Sequence, residues 1–240
     1  MKRLTVSLAT TLAIAIASPH SATSAEPSES HINREYIEWA DIWIPGADRN
    51  DKPHVLLIGN SITRGYHPEV EKALDDRAYV ARLSTSKSLG DPAYLEEVEN
   101  VLKHTSFDII HFNNGLHGMG YTEQEYDRDF PMLLALFKRY APDARLIWAN
   151  CTPLFQGEDM TVVTQQSLRG TARNQIARRH ALTAGIEINH LDSVMYGHPE
   201  YYIGGDGVHP LPAGYSALAA QVISILEKHL PKVTTRLERQ

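Results

Sequence analysis

The chain has 240 residues, of which 42% are hydrophobic and 22% are charged, a composition that supports a packed core and argues against a disordered or fibrous protein. The formal net charge is −6 and no cluster of lysines and arginines is long enough to bind a phosphate backbone, so nucleic acid is not an expected partner. The single cysteine, Cys151, excludes an internal disulfide and a thiolate zinc cage, because each needs at least two sulfurs.

The first 25 residues are typical of a secretory signal. Two basic residues precede an apolar stretch over 4–17, and small residues lead to a cleavage site near Ala25. The apolar stretch is shorter than the roughly 20 residues that span a bilayer. We therefore predict a secreted or periplasmic protein without a stable membrane anchor.

Short apolar runs and longer amphipathic stretches alternate along the rest of the chain. The runs predict five strands, at 54–58, 79–83, 107–112, 145–149 and 186–191. The amphipathic stretches predict helices at 92–104, 123–140, 166–183 and 212–229. Because the runs are apolar on consecutive positions, we predict an α/β protein, a flavodoxin-like three-layer α/β/α sandwich with a mostly parallel five-stranded sheet. Ligands are then expected at the carboxyl ends of the strands.

No repeat or linker divides the chain after the signal, so we predict one domain over 53–232. An N-terminal extension at 26–52 precedes it and a tail at 233–240 follows it. The extension holds Trp39 and Trp43, which are predicted to cover a face of the core. The sequence does not indicate whether the chain is a monomer or an oligomer.

A serine follows the first predicted strand directly, in the run Gly59-Asn60-Ser61. A serine at a strand-to-helix turn has its hydroxyl at the carboxyl edge of the sheet, beside the amides of the helix end. By itself, this pattern is equally typical of a turn with an N-capping serine.

Near the other end of the chain, Asp206 and His209 share a glycine-rich loop before the last predicted helix. Their spacing lets the carboxylate orient the imidazole. A serine nucleophile needs a base within hydrogen-bond reach, and that base needs a partner that fixes its tautomer. Ser61, His209 and Asp206 fill these three roles, although the pair alone is also compatible with a helix-capping turn and a solvated histidine.

At these residues the chain resembles the SGNH (GDSL-type) hydrolase family, whose members carry an early Gly-Asp-Ser block and a late Asp-X-X-His block on an α/β/α sandwich. The resemblance covers roughly 54–226. It implies a serine ester hydrolase without a cofactor, in which Ser61 attacks, His209 moves the proton and Asp206 holds the histidine. Asn60 replaces the aspartate of the first block and is predicted to brace the loop rather than take part in chemistry.

The resemblance also implies an oxyanion hole with donors beyond the amide of Ser61. Gly90 matches the family's glycine, although a turn that needs a positive φ also explains it. The third block departs from the usual Gly-X-Asn-Asp, since the chain has Asn-Asn-Gly-Leu-His-Gly at 113–118. Either His117 or Asn114 therefore supplies the side-chain donor, and spacing does not decide between them.

The predicted function is hydrolysis of small acyl esters, first of all acetyl esters on carbohydrate, so the expected partner is a small-molecule or polysaccharide ester. Substrate contacts are predicted at Arg64, Tyr66 and Asn113, with the loop at 154–165 as a candidate substrate loop. Two alternatives stay open: a lipid acyl-ester hydrolase of the lipase or lysophospholipase type, and a non-catalytic carbohydrate-binding protein on the same fold.

A metal-dependent hydrolase is the main mechanistic rival, because imidazoles and a carboxylate suit a divalent ion. Its candidate ligands are His111, His117, Asp206 and His209. This hypothesis leaves Ser61 without a role, so no metal is predicted.

Overall fold

A computed structural model describes residues 32–231. The predicted signal at 1–25 and the predicted tail at 233–240 lie outside the described residues. The described part contains eight strands: β1 (Ala40–Trp43), β2 (His54–Gly59), β3 (Tyr79–Thr85), β4 (Ile109–Phe112), β5 (Arg145–Ala149), β6 (Phe155–Gln156), β7 (Val162–Val163) and β8 (Glu187–Asn189). It contains six α-helices: α1 (Ser61–Ala73), α2 (Pro92–His104), α3 (Glu123–Tyr140), α4 (Gln165–Thr183), α5 (Leu191–Met195) and α6 (Pro212–Glu227).

The main sheet has six strands in the order β1-β3-β2-β4-β5-β8, and the five from β3 to β8 run parallel. The predicted α/β architecture with a mostly parallel sheet is confirmed. The predicted count of five strands is wrong, because β1 adds a sixth strand that pairs antiparallel with β3 at the edge. β1 is mostly exposed, so it lacks the buried apolar side chains that mark the central parallel strands.

Helices cover both faces of the sheet, because successive residues of a strand point to opposite sides. In β2, Val55 and Leu57 pack into a core with α1, α5 and α6, whereas Leu56 and Ile58 pack into a second core with α2, α3 and α4. These four side chains are completely buried. Two cores on one sheet form the three-layer sandwich.

The loops after the parallel strands meet at one edge of the sheet. β2 leads into α1 at Ser61, and β4 leads into the segment at 113–118. The start of β1 lies at the same edge, since Ala40 pairs with Thr85 at the end of β3. None of the helices at 32–231 is long and apolar enough to cross a membrane.

Candidate active site

Ser61 is the first residue of α1, and two neighbours fix the turn that presents it. The side chain of Asn60 accepts a hydrogen bond from the amide of Ile62 (3.0 Å) and caps the helix. Only glycine fits at Gly59, because a Cβ there would lie 2.0 Å from the Oγ1 of Thr63. The predicted bracing role of Asn60 is confirmed.

The structure brings the two ends of the chain together at this turn. The Nε2 of His209 lies 2.8 Å from the Oγ of Ser61, and its Nδ1 lies 2.6 Å from Oδ2 of Asp206. A hydroxyl, an imidazole and a carboxylate thus form one hydrogen-bonded chain. This is the arrangement of a nucleophile, a base and a group that orients the base.

The loop before α6 holds the carboxylate of Asp206 in place. Its Oδ1 accepts hydrogen bonds from the amides of Val208 (2.9 Å) and His209 (2.7 Å). Burial acts to raise the pKa of Asp206, but the hydrogen bonds from the His209 ring and these amides outweigh it, and the pKa falls below its ordinary value. The carboxylate therefore stays ionised at neutral pH and requires a proton on the Nδ1 of His209.

Gly207, between these residues, joins the loop to the segment after β5. Its carbonyl accepts a hydrogen bond from the amide of Phe155 (2.9 Å), and its φ is +74°. The 154–165 segment, whose β6 and β7 form a small antiparallel ribbon, thus braces the loop of Asp206 and His209. It does not line the cleft beside Ser61, so the structure does not support its predicted role as a substrate loop.

Replacing Gly207 by alanine is expected to destabilise the fold and to lower catalytic turnover. A Cβ would lie 1.9 Å from the carbonyl oxygen of Phe155, so the backbone that carries Asp206 and His209 must shift. Gly204→Ala is the matched control, since Gly204 also has a positive φ (+84°) but a Cβ there meets nothing within 4 Å. We expect Gly204→Ala to cost about 1 kcal/mol from backbone strain, and Gly207→Ala to cost clearly more. Equal unfolding midpoints and equal turnover in the two variants would contradict this prediction.

A cleft of about 270 Å³ opens beside Ser61 and His209. Its walls include Trp39, Arg64 and His117. The guanidinium of Arg64 stacks over the ring of Trp39 at 4.8 Å, and the imidazole of His117 meets that ring edge-on at 6.3 Å. The exposed side chain of Arg64 thus lies beside the nucleophile, as predicted, whereas the sequence did not indicate that Trp39 belongs to the site.

A larger depression, of about 640 Å³, lies at the opposite edge of the sheet. It is lined by residues that precede the strands, such as Pro53, Asp108 and Ala144. None of the predicted site residues lines it. The candidate chemistry therefore belongs to the smaller cleft at the carboxyl ends of the strands, where ligands of parallel sheets bind.

The two asparagines after β4 do not reach the cleft. The Nδ2 of Asn113 donates to the carbonyl of Ala149 (2.7 Å), and the residue is buried. The side chain of Asn114 accepts from the amide of Leu89 (3.0 Å) and donates to the carbonyl of Lys87 (3.0 Å). The substrate contact predicted for Asn113 is therefore wrong, and Asn114 is engaged in bracing the loop after β3 instead of facing an oxyanion.

Tyr66 is also not a substrate contact. Its side chain is completely buried on the inner face of α1, where its hydroxyl lies 3.1 Å from the Oγ1 of Thr63. Nearness to Ser61 along the chain was too coarse a criterion, because neighbouring residues of a helix point either to the cleft or to the core.

Gly90 has a packing reason to be glycine. It lies in a turn but is not among the positive-φ residues, so the explanation by a positive φ is wrong. A Cβ there would lie 2.7 Å from ring atoms of Tyr121. The cleft lining does not include Gly90. Donation from its amide to an oxyanion stays a prediction.

The four candidate ligands of the rival metal hypothesis do not form one cluster, because His111 lies away from the cleft that His117 and His209 line. His111 is completely buried in β4, where its Nε2 accepts a hydrogen bond from the Nδ2 of Asn189 (3.0 Å), and burial lowers its pKa to about 4. Over 32–231, no three histidine, cysteine, aspartate or glutamate side chains are placed to hold a metal ion. Cys151 is buried as well, and burial raises the pKa of its thiol to about 12, so it is not a reactive thiolate.

The fold is similar to that of several solved ester hydrolases. A GDSL-like lipase from Bacteroides thetaiotaomicron superposes with a TM-score of 0.56 at 18% identity, over 74% of this chain and 89% of the lipase. The acetyl xylan esterase AlAXEase superposes with a TM-score of 0.59 at 17% identity, over 72% of this chain and 99% of the esterase. A carbohydrate acetylesterase family member from Sinorhizobium meliloti gives a TM-score of 0.58 at 17% identity, over 73% of this chain and 98% of that protein.

No protein-family model matches the chain, and no curated protein matches it either. The structural similarities are at low sequence identity and therefore concern the architecture. The chain has the fold of the SGNH (GDSL-type) hydrolases.

Proposed function

We propose that this chain, which has the fold of GDSL-type ester hydrolases, is a serine esterase that removes small acyl groups, first of all acetyl, from carbohydrate. The observation that carries the proposal is the hydrogen-bonded chain from Ser61 through His209 to Asp206 at the mouth of a cleft. A capping turn with a solvated histidine needs no serine hydroxyl 2.8 Å from its ring.

The first half of the reaction transfers the acyl group to the serine. The Oγ of Ser61 attacks the ester carbonyl carbon while the Nε2 of His209 takes its proton, and the carbonyl electron pair moves to oxygen. His209 becomes an imidazolium, whose Nδ1–H remains hydrogen-bonded to the carboxylate of Asp206. The tetrahedral intermediate then collapses, the bond to the leaving alcohol breaks, and His209 returns the proton to that alcohol.

The second half repeats these steps with water. His209 removes a proton from a water molecule, which attacks the acyl carbon, and the acid leaves as the Oγ of Ser61 regains its proton. In both halves, negative charge develops on the former carbonyl oxygen. The amide of Ser61 at the start of α1 and the ring of His117 in the cleft wall are the donors that we propose for this oxyanion.

The shape and composition of the cleft favour a short acyl group on a polar carrier. About 270 Å³ is little space for a long chain, and the walls combine Arg64, His117 and Gln166 with the ring of Trp39. Aromatic rings pack well against the apolar faces of sugars. The acetyl xylan esterase and the carbohydrate acetylesterase of the same fold support this substrate class. The predicted export of the chain, with cleavage near Ala25, would bring it to extracellular or periplasmic polysaccharides.

A substrate screen tests this proposal. Acetylated oligosaccharides and long-chain acyl esters are incubated with the wild-type protein and with Ser61→Ala, and the loss of acyl groups is followed by mass spectrometry. We expect the wild type to release acetyl groups faster than long acyl chains and the variant to release neither. Faster release of long chains would favour a lipid esterase, and sugar binding without turnover would favour a non-catalytic module.

A further inference from the structure

A second pair of a histidine and a carboxylate faces the same cleft. The carboxylate of Glu35 accepts from the Nδ1 of His117, at 3.1 and 3.0 Å from its two oxygens. The same carboxylate accepts from the amide of Gly118 (3.0 Å). The Nε2 of His117 has no hydrogen-bond partner among the residues at 32–231, while the ring lines the cleft together with Ser61 and His209. The free ring nitrogen is thus available to a substrate.

Contacts of the backbone and of the next residues hold the segment that carries Glu35. Its own amide donates to Glu38 (2.7 Å), and Glu38 forms an ion pair with Lys87 (2.9 Å) on the loop after β3. The next residue, Trp39, donates its amide to the Oγ of Ser86 (2.9 Å). These contacts anchor the segment to the sheet, so the glutamate is part of a built wall rather than a mobile surface side chain.

The backbone of His117 is held as well. The buried guanidinium of Arg173 donates to the carbonyl of His117 at 2.6 Å. With its backbone bound to Arg173 and its Nδ1 bound to Glu35, the imidazole has one orientation relative to the cleft. An oxyanion donor needs such a fixed orientation, because the donor then does not have to rearrange when the negative charge develops.

The carboxylate also determines which protons the ring carries. Burial opposes ionisation of Glu35, but the hydrogen bonds from His117 and the Gly118 amide outweigh it and hold its pKa below the ordinary value. An ionised carboxylate accepts and does not donate, so the Nδ1 of His117 carries a proton. A donor at Nε2 then requires a second proton and a positively charged ring, beside which the Glu35 carboxylate lies as a counter-ion.

We infer that Glu35 is a positioning residue: it fixes the ring of His117 over the cleft and is the counter-ion of that ring when its Nε2–H donates to the oxyanion formed at Ser61. This inference rests on the proposed esterase function. It gives the two imidazoles opposite requirements, since His209 must be neutral to accept a proton and His117 must be charged to donate a hydrogen bond.

The pH dependence follows from these requirements. As pH rises, kcat/KM increases when His209 loses its proton and decreases when His117 loses its own. The groups that face His117 are Glu35 at Nδ1, with Glu38 bonded to the Glu35 amide, and Arg173 at its carbonyl. His209 lines the same cleft, and Arg64 stacks on the Trp39 ring that His117 also contacts. Of these, only Glu35 places a negative charge next to the ring. Its removal is therefore expected to move the alkaline limb, the fall of kcat/KM at high pH, to lower pH.

The experiment compares Glu35→Gln, which retains an acceptor but removes the charge, with His117→Gln, which retains a donor but cannot titrate. Acetyl release is measured between about pH 5 and pH 10, around the range in which histidines titrate. We expect the alkaline limb of Glu35→Gln about one pH unit below that of the wild type. We expect His117→Gln to lose this limb and to lose about 10²-fold in kcat. Glu96→Gln, on the exposed face of α2, is the matched control and retains the wild-type profile.

A second measurement does not depend on turnover. In the Ser61→Ala background, the ring signals of His117 are titrated by NMR, with His117→Gln as the assignment control. The midpoint is expected to fall by about one pH unit when Glu35→Gln is added. An unchanged midpoint, or an unchanged alkaline limb in both variants, overturns the inference. If Ser61→Ala instead retains activity, it is the proposed esterase mechanism that fails.

Discussion

Ser61→Ala is expected to lower kcat for ester hydrolysis by about 10⁴-fold or more. In the hydrogen-bonded set of Ser61, His209 and Asp206, the serine hydroxyl is the group that forms the acyl intermediate. Alanine removes this hydroxyl and leaves His209 without a proton to accept. The fold should survive, because the cap of α1 comes from the side chain of Asn60 and not from Ser61. The measurement is steady-state turnover of p-nitrophenyl acetate, with the unfolding midpoint of each variant recorded beside it.

Two observations make this prediction specific. A serine-directed phosphonate should label the wild type on the peptide that contains Ser61 and should not label Ser61→Ala. Ser193→Ala replaces an exposed residue in the middle of α5 and should leave both labelling and turnover unchanged. A Ser61→Ala variant that retains a tenth of the wild-type turnover is incompatible with a covalent serine mechanism.

The base, His209, should be as important for turnover as the nucleophile. His209→Gln should lose activity on a scale similar to Ser61→Ala, because an amide at this position cannot accept the proton of the hydroxyl. The double variant should be no worse than either single variant, since the two residues act as one unit. Losses that multiply in the double variant would mean that the two side chains act independently, despite the 2.8 Å between them.

The central part of the fold could be predicted because each buried parallel strand has a strong local signal. Four consecutive apolar residues identified β2 and β5, and the apolar side chains of Ile109, Ile110 and Phe112 identified β4. The predicted helix bounds at 92–104 and 123–140 coincide with α2 and α3. β1 escaped prediction because an edge strand that is exposed on both sides carries no such run. The local sequence determines how a segment folds when that segment is buried, and β1 depends on its pairing with β3 instead.

Some residues of the candidate site could likewise be predicted from the sequence, and others could not. Ser61, Asp206 and His209 were predictable because each lies in a short block whose spacing is tied to its chemistry. Glu35 and Trp39 were not, since they reach the cleft only through the antiparallel pairing of β1 with the end of β3. Tyr66 and Asn113 were wrongly included, because proximity along the chain does not say on which side of a helix or loop a side chain lies.

Replacing Arg173 by methionine is expected to lower the free energy of unfolding by about 3 kcal/mol or more. Its guanidinium, completely buried, donates to four backbone carbonyls of the loop after β4: those of Gly115, His117, Gly118 and Tyr121, at 2.6–3.1 Å. Methionine fills much of the volume but leaves the carbonyls of Gly115 and His117 without a donor. The carbonyls of Gly118 and Tyr121 keep the amide of Tyr121 (3.0 Å) and the guanidinium of Arg169 (2.6 Å), respectively. A buried acceptor without a donor loses the full free energy of its hydration, and this penalty exceeds the net contribution of one hydrogen bond to stability.

Arg178→Met is the matched control, because Arg178 lies on the exposed side of the same helix and should change the unfolding midpoint little. Arg173→Lys should rescue only part of the loss, since one ammonium cannot reach carbonyls on both sides of the loop as a planar guanidinium does. For a domain of this size, 3 kcal/mol corresponds to a melting temperature lower by about 6–12 °C. Equal melting temperatures for Arg173→Met and Arg178→Met would show that water replaces the guanidinium at no cost. The loop that carries His117 would then owe its position to Glu35 and the packing of Tyr121, and not to the buried charge.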